Sequence, residues 1–352
     1  MAGMSRALVA IAGLMVLGGM VTSTLLSTGR DAVRERLEAF VAASAQENLP
    51  SRPVAWGETL VGVSALECYQ QADEWFDVRL RAAPPCNDPD DVARVGIVTA
   101  VCRGAHAPCR GPVRCRWRPS FLVGQVLEPE IERRWSVDPP AAAELLLDVL
   151  TFLLDSDGAE YANMLLRTGT NDRLAQLDGA TAERLAAGLE VVDARWLTWS
   201  SKVDLLRSAT IPRLAATERT FRLSAWRHVF DTEQAERAAC AALLEALPEL
   251  EPAATDWSAR DAQWQALFVR CADFEGTKVV AWFEQVRGSE RRSYEMLTRL
   301  RLLRLALARL HGEPLPTLGD PFADAPLQIE PDAEGLTFRS AASSPRLERR
   351  VP

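Results

Sequence analysis

The sequence predicts a mainly α protein: one transmembrane helix, then a helical bundle-like extracytoplasmic domain with a disulfide-bearing loop segment, then a small C-terminal β-hairpin. Three observations carry this prediction. The first is an uncharged run between Arg6 and Arg30, "ALVAIAGLMVLGGMVTSTLLSTG". The second is a helical rhythm of apolar residues through most of the chain beyond residue 140. The third is the gathering of four of the seven cysteines between Cys86 and Cys115, among prolines and glycines. With 352 residues and 48% hydrophobic content the chain is long and apolar enough to bury a large core, which excludes disorder as a whole. A net charge of -8 argues against nucleic acid as the main partner, because phosphate binding needs a basic face.

The chain divides as follows. Residues 1–6 form a cytoplasmic stub. Residues 7–28 are predicted to anchor the chain, since 7–26 alone would span roughly 30 Å as a helix, the thickness of a bilayer's hydrocarbon. Val21, Thr22, Ser23 and Thr24 make a poor cleavage site, so an uncleaved anchor is favoured over a signal peptide. Residues 29–57 read as a juxtamembrane helix and linker, closed by the prolines of "ENLPSRP". Cysteines confined to the region beyond the apolar segment suit an oxidising compartment. The predicted location is a single-pass bacterial inner-membrane protein with its bulk in the periplasm, a cell-envelope protein as its partner, and the bilayer itself as a contact.

Residues 58–139 hold a helix over 59–81, halted by "AAPPCNDPDD", and then a cysteine-rich loop to about Pro119. Cys68, Cys86, Cys102, Cys109 and Cys115 are the disulfide candidates. Cys102, His106, Cys109 and Cys115 are an alternative set of zinc ligands, although their spacing matches no familiar finger or ribbon. Asp88, Asp90 and Asp91 read as a turn and a helix cap.

Residues 140–311 form the helical domain. Over 181–210 an apolar seam of Leu185, Leu189, Val192, Trp196, Trp199, Val203 and Leu206 recurs at spacings of 4, 3, 4, 3, 4 and 3, and Pro212 stops or kinks the helix. Tryptophans are too bulky for a two-stranded coil, so the seam belongs in a bundle core. Trp257, Trp264, Phe268, Cys271 and Trp282 extend the aromatic core. The last helix, over 290–310, buries Leu297, Leu300, Leu303, Leu307 and Leu310, and Gly312 caps it. Seven arginines lie between Arg287 and Arg309, and an acidic stretch over 313–338 follows to complement them.

Residues 312–340 form the β-hairpin and 341–352 a disordered tail. Asp320 caps a turn preset by Pro321, Phe322 anchors it in apolar surface, Pro326 and Leu327 lead into the first strand, and Gly335 allows the reversal into the second. Over 305–340, Gly312, Pro314, Pro316, Leu318, Asp320, Pro321, Phe322, Pro326, Leu327, Gly335 and Phe338 carry a resemblance. The segment resembles the "DPF-x-x-x-PL" module of a set of poorly characterised membrane-anchored bacterial proteins, and is similar to the C-terminal end of type II secretion pseudopilins. That resemblance implies a helix, a proline-rich turn and a two-stranded end.

No catalytic residue, cofactor or cofactor-binding residue is predicted. His106, His228 and His311 have no nucleophile motif nearby, and "DSDG" at 155–158 has Leu166 where a calcium loop needs its chelating glutamate. His311 at a helix end is explained by the helix dipole. The predicted function is binding or scaffolding. The alternatives are an anchored hydrolase whose groups converge only in the fold, and a zinc or redox module in the cysteine segment.

Overall fold

The computed structural model describes residues 60–82, 92–109, 122–156, 158, 161–198, 256–270, 278–333, 335–342 and 347–352. The chain separates into two compact units. One comprises residues 1–47, 202–252 and 263–286, the other residues 48–201, 253–262 and 287–352.

In the larger unit, α1 (Ala65–Ala82) opens with a reciprocal cap. The Ser64 amide donates to Glu67 Oε2 at 2.8 Å and the Glu67 amide donates to Ser64 Oγ at 3.2 Å, satisfying two donors that the first turn leaves over. Of the segment read as a cross-linked loop, residues 92–106 form α2 (Val92–His106) instead, and residues 110–119 lie outside the described residues. Its buried face is Ala93, Ile97, Ala100, Val101 and Gly104. The glycines that suggested turns are close-packing positions: a Cβ on Gly96 would lie 2.6 Å from the Trp75 ring, and one on Gly104 would overlap the ring of Tyr69. α1 and α2 therefore pack as a close helical pair.

A π-helical turn over Val123–Leu127 leads into α3 (Glu128–Val137). Pro129 has no N–H to return to the preceding turn, and the Glu128 amide reaches back five residues to the Val123 carbonyl instead. α4 (Pro139–Asp155) has Asp138 as its N-cap, the side chain accepting from the Ala141 amide at 3.2 Å, with Pro139 and Pro140 at the first positions, where a missing N–H costs nothing. Nearly the whole of α4 is buried, Leu146, Val149, Leu150 and Leu153 completely. It is the central helix, and α2, α3 and α7 pack around it. The short helices α5 (Ala162–Leu166) and α6 (Asn171–Leu174) connect to α7 (Gly179–Thr198), whose Leu185, Leu189, Val192 and Trp196 are buried as their spacing predicts. The remainder of that predicted seam lies outside the described residues.

α8 (Trp257–Arg270) and α9 (Lys278–Leu310) follow, α9 starting twelve residues before the predicted Glu290. Leu297, Leu300, Leu303 and Leu307 are buried. Gly312, at φ 71°, ends α9 in the left-handed conformation that glycine adopts without strain. In the smaller unit, Trp264 is fully buried, stacked on Phe268 with centroids 5.8 Å apart and edge-on to Phe283 at 6.4 Å.

The C-terminal part differs from the predicted hairpin. β1 (Gln328–Asp332) pairs antiparallel with β2 (Gly335–Arg339), with Ile329 opposite Phe338. β2 also pairs with β3 (Glu348–Val351), which lies within the predicted disordered tail. A third strand allows the sheet to bury Phe338, Leu347 and Val351, where two strands alone are barely stable in water. Leu327 and Phe338 belong to the same apolar core as Leu297 and Leu300, and Phe322 and Leu336 pack on it half-buried. Ile329, on the edge strand, is exposed.

Among the described residues no helix is long and apolar enough to cross a membrane. α4 is apolar but runs only 17 residues, and α9 has the length but carries seven arginines. This overturns the prediction of a transmembrane helix and of a single-pass inner-membrane protein with its bulk in the periplasm; residues 7–28 themselves lie outside the described residues.

Candidate functional site

The densest group of chemically capable side chains surrounds α4. Cys102 and His106 are four residues apart on α2 and so share one helical face, which meets Asp148 on α4. His106 Nε2 lies 3.0 Å from Asp148 Oδ1, and the Cys102 thiol hydrogen-bonds to the same carboxylate. Asp148 is buried. Burial pushes the Cys102 thiol well above its ordinary range, the Asp148 charge and hydrogen bond push it further, and nearby Arg134 opposes this only in part. The thiol thus keeps its proton. It also bonds to the carboxylate, whereas a cysteine nucleophile needs a base to take its proton. His106 is held in orientation by Asp148, the arrangement of a general base, but the neighbouring sulfur is not poised to attack.

Arg134 leads to a second ionic group. Glu130 on α3 accepts from Arg133 at 2.8 and 2.9 Å and from Arg134 at 2.9 Å, and pairs with Arg94 of α2. Burial disfavours its charge, yet the hydrogen bonds from Arg133, Arg94 and Arg134 prevail and bring the carboxyl down to about 2. Seven residues beyond Asp148, on the same side of α4, Asp155 accepts from the Tyr69 hydroxyl at 2.9 Å and from Arg195 at 2.8 Å. The first acid of "DSDG" therefore ties α1 and α7 to α4.

The predicted disulfides are not formed where they can be seen: no disulfide joins any two of Cys68, Cys102 and Cys109. Cys68 and Cys102 belong to different helices, α1 and α2, and Cys102 is bonded to Asp148. Cys86 and Cys115 lie outside the described residues. No group of His, Cys, Asp and Glu among the described residues could hold a metal ion, so Cys102, His106 and Cys109 do not assemble with one another as ligands. His228 is outside the described residues. His311 Nε2 lies 3.0 Å from the Leu174 carbonyl, which it approaches as a donor.

Of the C-terminal motif, Asp320 is buried and accepts from the Phe322 amide at 2.9 Å, the Ser340 hydroxyl at 2.8 Å and the Ala341 amide at 2.5 Å. Pro321 offers its carbonyl to the Trp257 amide at 2.7 Å, Pro326 bridges to Gly319, and the Leu327 amide donates to the Leu318 carbonyl at 2.9 Å. A Cβ on Gly335 would overlap the Val351 carbonyl. Asp320, Pro326, Leu327 and Gly335 are thus engaged in holding the module together.

Asp148, Arg134 and Arg195 were missed from the sequence. Asp148 had a signal: a single carboxylate inside "LLLDVLTFLL" must find a partner if the run is buried. The two arginines had none, because nothing in their local sequence separates them from surface arginines. No protein-family model, no curated protein and no solved structure matches the chain.

Proposed function

We propose that this chain is a binding or scaffolding protein acting on another protein. The observation that supports the reading is that Asp148 accepts from both His106 and Cys102, while the thiol is held protonated. Such a group braces two helices. Among the other buried acids, Glu130, Asp155, Asp193 and Glu290 are bonded to arginines of the same chain, and Asp256 and Asp320 accept from backbone amides. The net charge of -8 favours a protein over a nucleic acid as partner.

The second reading, a hydrolase with His106 as base, draws on the 3.0 Å contact with Asp148. One experiment separates the two. The purified chain is assayed against ester, amide and phosphate-ester substrates beside His106→Gln and Cys102→Ser. Hydrolysis at the buffer rate in all three, with melting temperatures lowered in the variants, is expected. Turnover by the wild-type chain that is lost in folded His106→Gln would overturn the binding reading.

A further inference from the structure

One pair of cations stands apart from the ionic groups above. The backbone following α5 runs alongside α9. The Asn163 amide approaches Met296 Sδ at 2.8 Å, and a Cβ on Gly169 would lie 3.1 Å from Leu303. These two contacts bracket Arg167 on one segment and Arg299 on the other, and the charge of Arg167 is felt at Arg299. Neither guanidinium takes part in a hydrogen bond or ion pair among the described residues, and Arg299 Nε is buried without an acceptor.

The three most deeply buried arginines among the described residues follow a different rule. Arg260 has Glu290 at 2.6 Å, Arg301 has Asp193 at 2.9 Å and Arg94 has Glu130. The acids nearest the pair do not neutralise it. Glu295 is paired with Arg291 at 3.5 Å, and Glu132 with Arg173 at 2.5 Å. Glu128 lies close enough to feel the charge of Arg167 but forms no ion pair with it; its carboxyl is raised by burial and by Glu132, against the opposing effect of Arg167. Arg299 in turn is lowered by burial first and by Arg167 second, and the charge of Glu295 opposes this only in part. The two guanidinium charges repel each other, and the buried Nε of Arg299 lacks an acceptor. A group with several acceptor oxygens and a negative charge relieves both costs, and the planar fork of arginine matches such groups.

We propose that Arg167 and Arg299 form a binding site for an oxyanion, a phosphate or carboxylate group held between the two guanidiniums. The site is independent of the His106 cluster and does not require the protein-binding reading. Arg167, the exposed member, meets the ligand from solvent, and Arg299 fixes it from below.

The test uses the full chain, with inorganic phosphate and succinate titrated separately against chloride at equal ionic strength, so that general screening cancels. Melting temperature and calorimetric binding are both read. Binding of phosphate or succinate to the wild-type chain is expected, with affinity falling about tenfold or more in Arg299→Gln and in Arg167→Gln, as loss of a charge-assisted contact predicts. Preference for phosphate identifies a phosphoryl ligand, and preference for succinate a carboxylate. Because Arg167 is exposed, Arg167→Gln carries the test if Arg299→Gln fails to fold. A wild-type chain indifferent to both anions, or folded variants that bind them as the wild type does, would overturn the site.

Discussion

At the scale of single residues, the acids divide by the company they keep. Glu130 is surrounded by arginine donors and remains charged, whereas Asp73 on α1 has one oxygen buried without a hydrogen-bond partner. Burial, and then the charge of Asp77 one turn away, push the Asp73 carboxyl up to about 7 from its ordinary 3.8. The consequence for stability has a definite sign. Below pH 3.8 the folded and unfolded chains both hold the proton. Between that value and about 7 the unfolded chain ionises first, so stability falls as pH rises, and above 7 the penalty is constant. Asp73→Asn should therefore stabilise the protein by about 1–2 kcal/mol at pH 8, a figure reduced from the full shift because solvent screens a partly exposed side chain. The gain should vanish near pH 3.5. Urea unfolding of both proteins across this range measures it, and a gain that does not change with pH would contradict it.

At the scale of elements, the α1–α2 pair shows how a local signal can mislead. Glycines with prolines nearby usually mark turns, and on that ground the stretch around Cys102 reads as a loop. Gly96 and Gly104 instead sit where the aromatic rings of Trp75 and Tyr69 press on α2. The helical repeat of Ala93, Ile97, Ala100, Val101 and Gly104 is present in the sequence, but short and alanine-rich, so composition outweighed it. Gly104→Ala is the sharp test. Alanine in a helix interior normally gains about 1 kcal/mol over glycine. Here the methyl group must displace Tyr69, whose ring packs edge-on against Phe152 at 4.9 Å and whose hydroxyl holds Asp155. Overpacking costs about 1–3 kcal/mol, and an overlap this severe belongs to the upper part of that range, about 2–3 kcal/mol, so a net loss of about 1–2 kcal/mol is expected in denaturant unfolding. A variant as stable as the wild type would show that the rings yield freely.

At the scale of the larger unit, buried ion pairs join elements far apart in the chain. Asp193 of α7 accepts from Arg301 at 2.9 Å and from Arg304 at 2.7 Å, while Arg301 also donates to the Gly319 carbonyl at 2.6 Å. One carboxylate thus fastens α7 to α9, and through Arg301 fastens α9 to the segment leading into the sheet. Arg349 performs a related task from β3: it donates to Gly169 at 2.6 Å and Asn171 at 2.9 Å, and burial lowers it to about 10. Asp193→Ala leaves two arginines without their shared acceptor and should cost about 3–5 kcal/mol, the usual penalty for removing one partner of a buried pair. Melting and chemical unfolding measure the loss. A change below about 1 kcal/mol would mean that the arginines find water or another acid without strain.

Much of the larger unit was legible as sequence because its signals are local. The seam of Leu185, Leu189, Val192 and Trp196 and the glycine stop at Gly312 both act within a turn or two of the backbone. Helix periodicity and capping are properties of neighbouring residues, so they can be read without the fold. Only the tertiary structure decided that Cys102 and His106 meet Asp148, that Arg301 reaches across 108 residues to Asp193, and that Glu348–Val351 completes a sheet. Periodicity states which side of a helix is buried but not what lies opposite it, and an arginine's sequence context is the same whether its partner is an acid or water. A third strand is equally hidden, because four residues with two arginines carry no strand pattern until β2 supplies the ladder that pairs them.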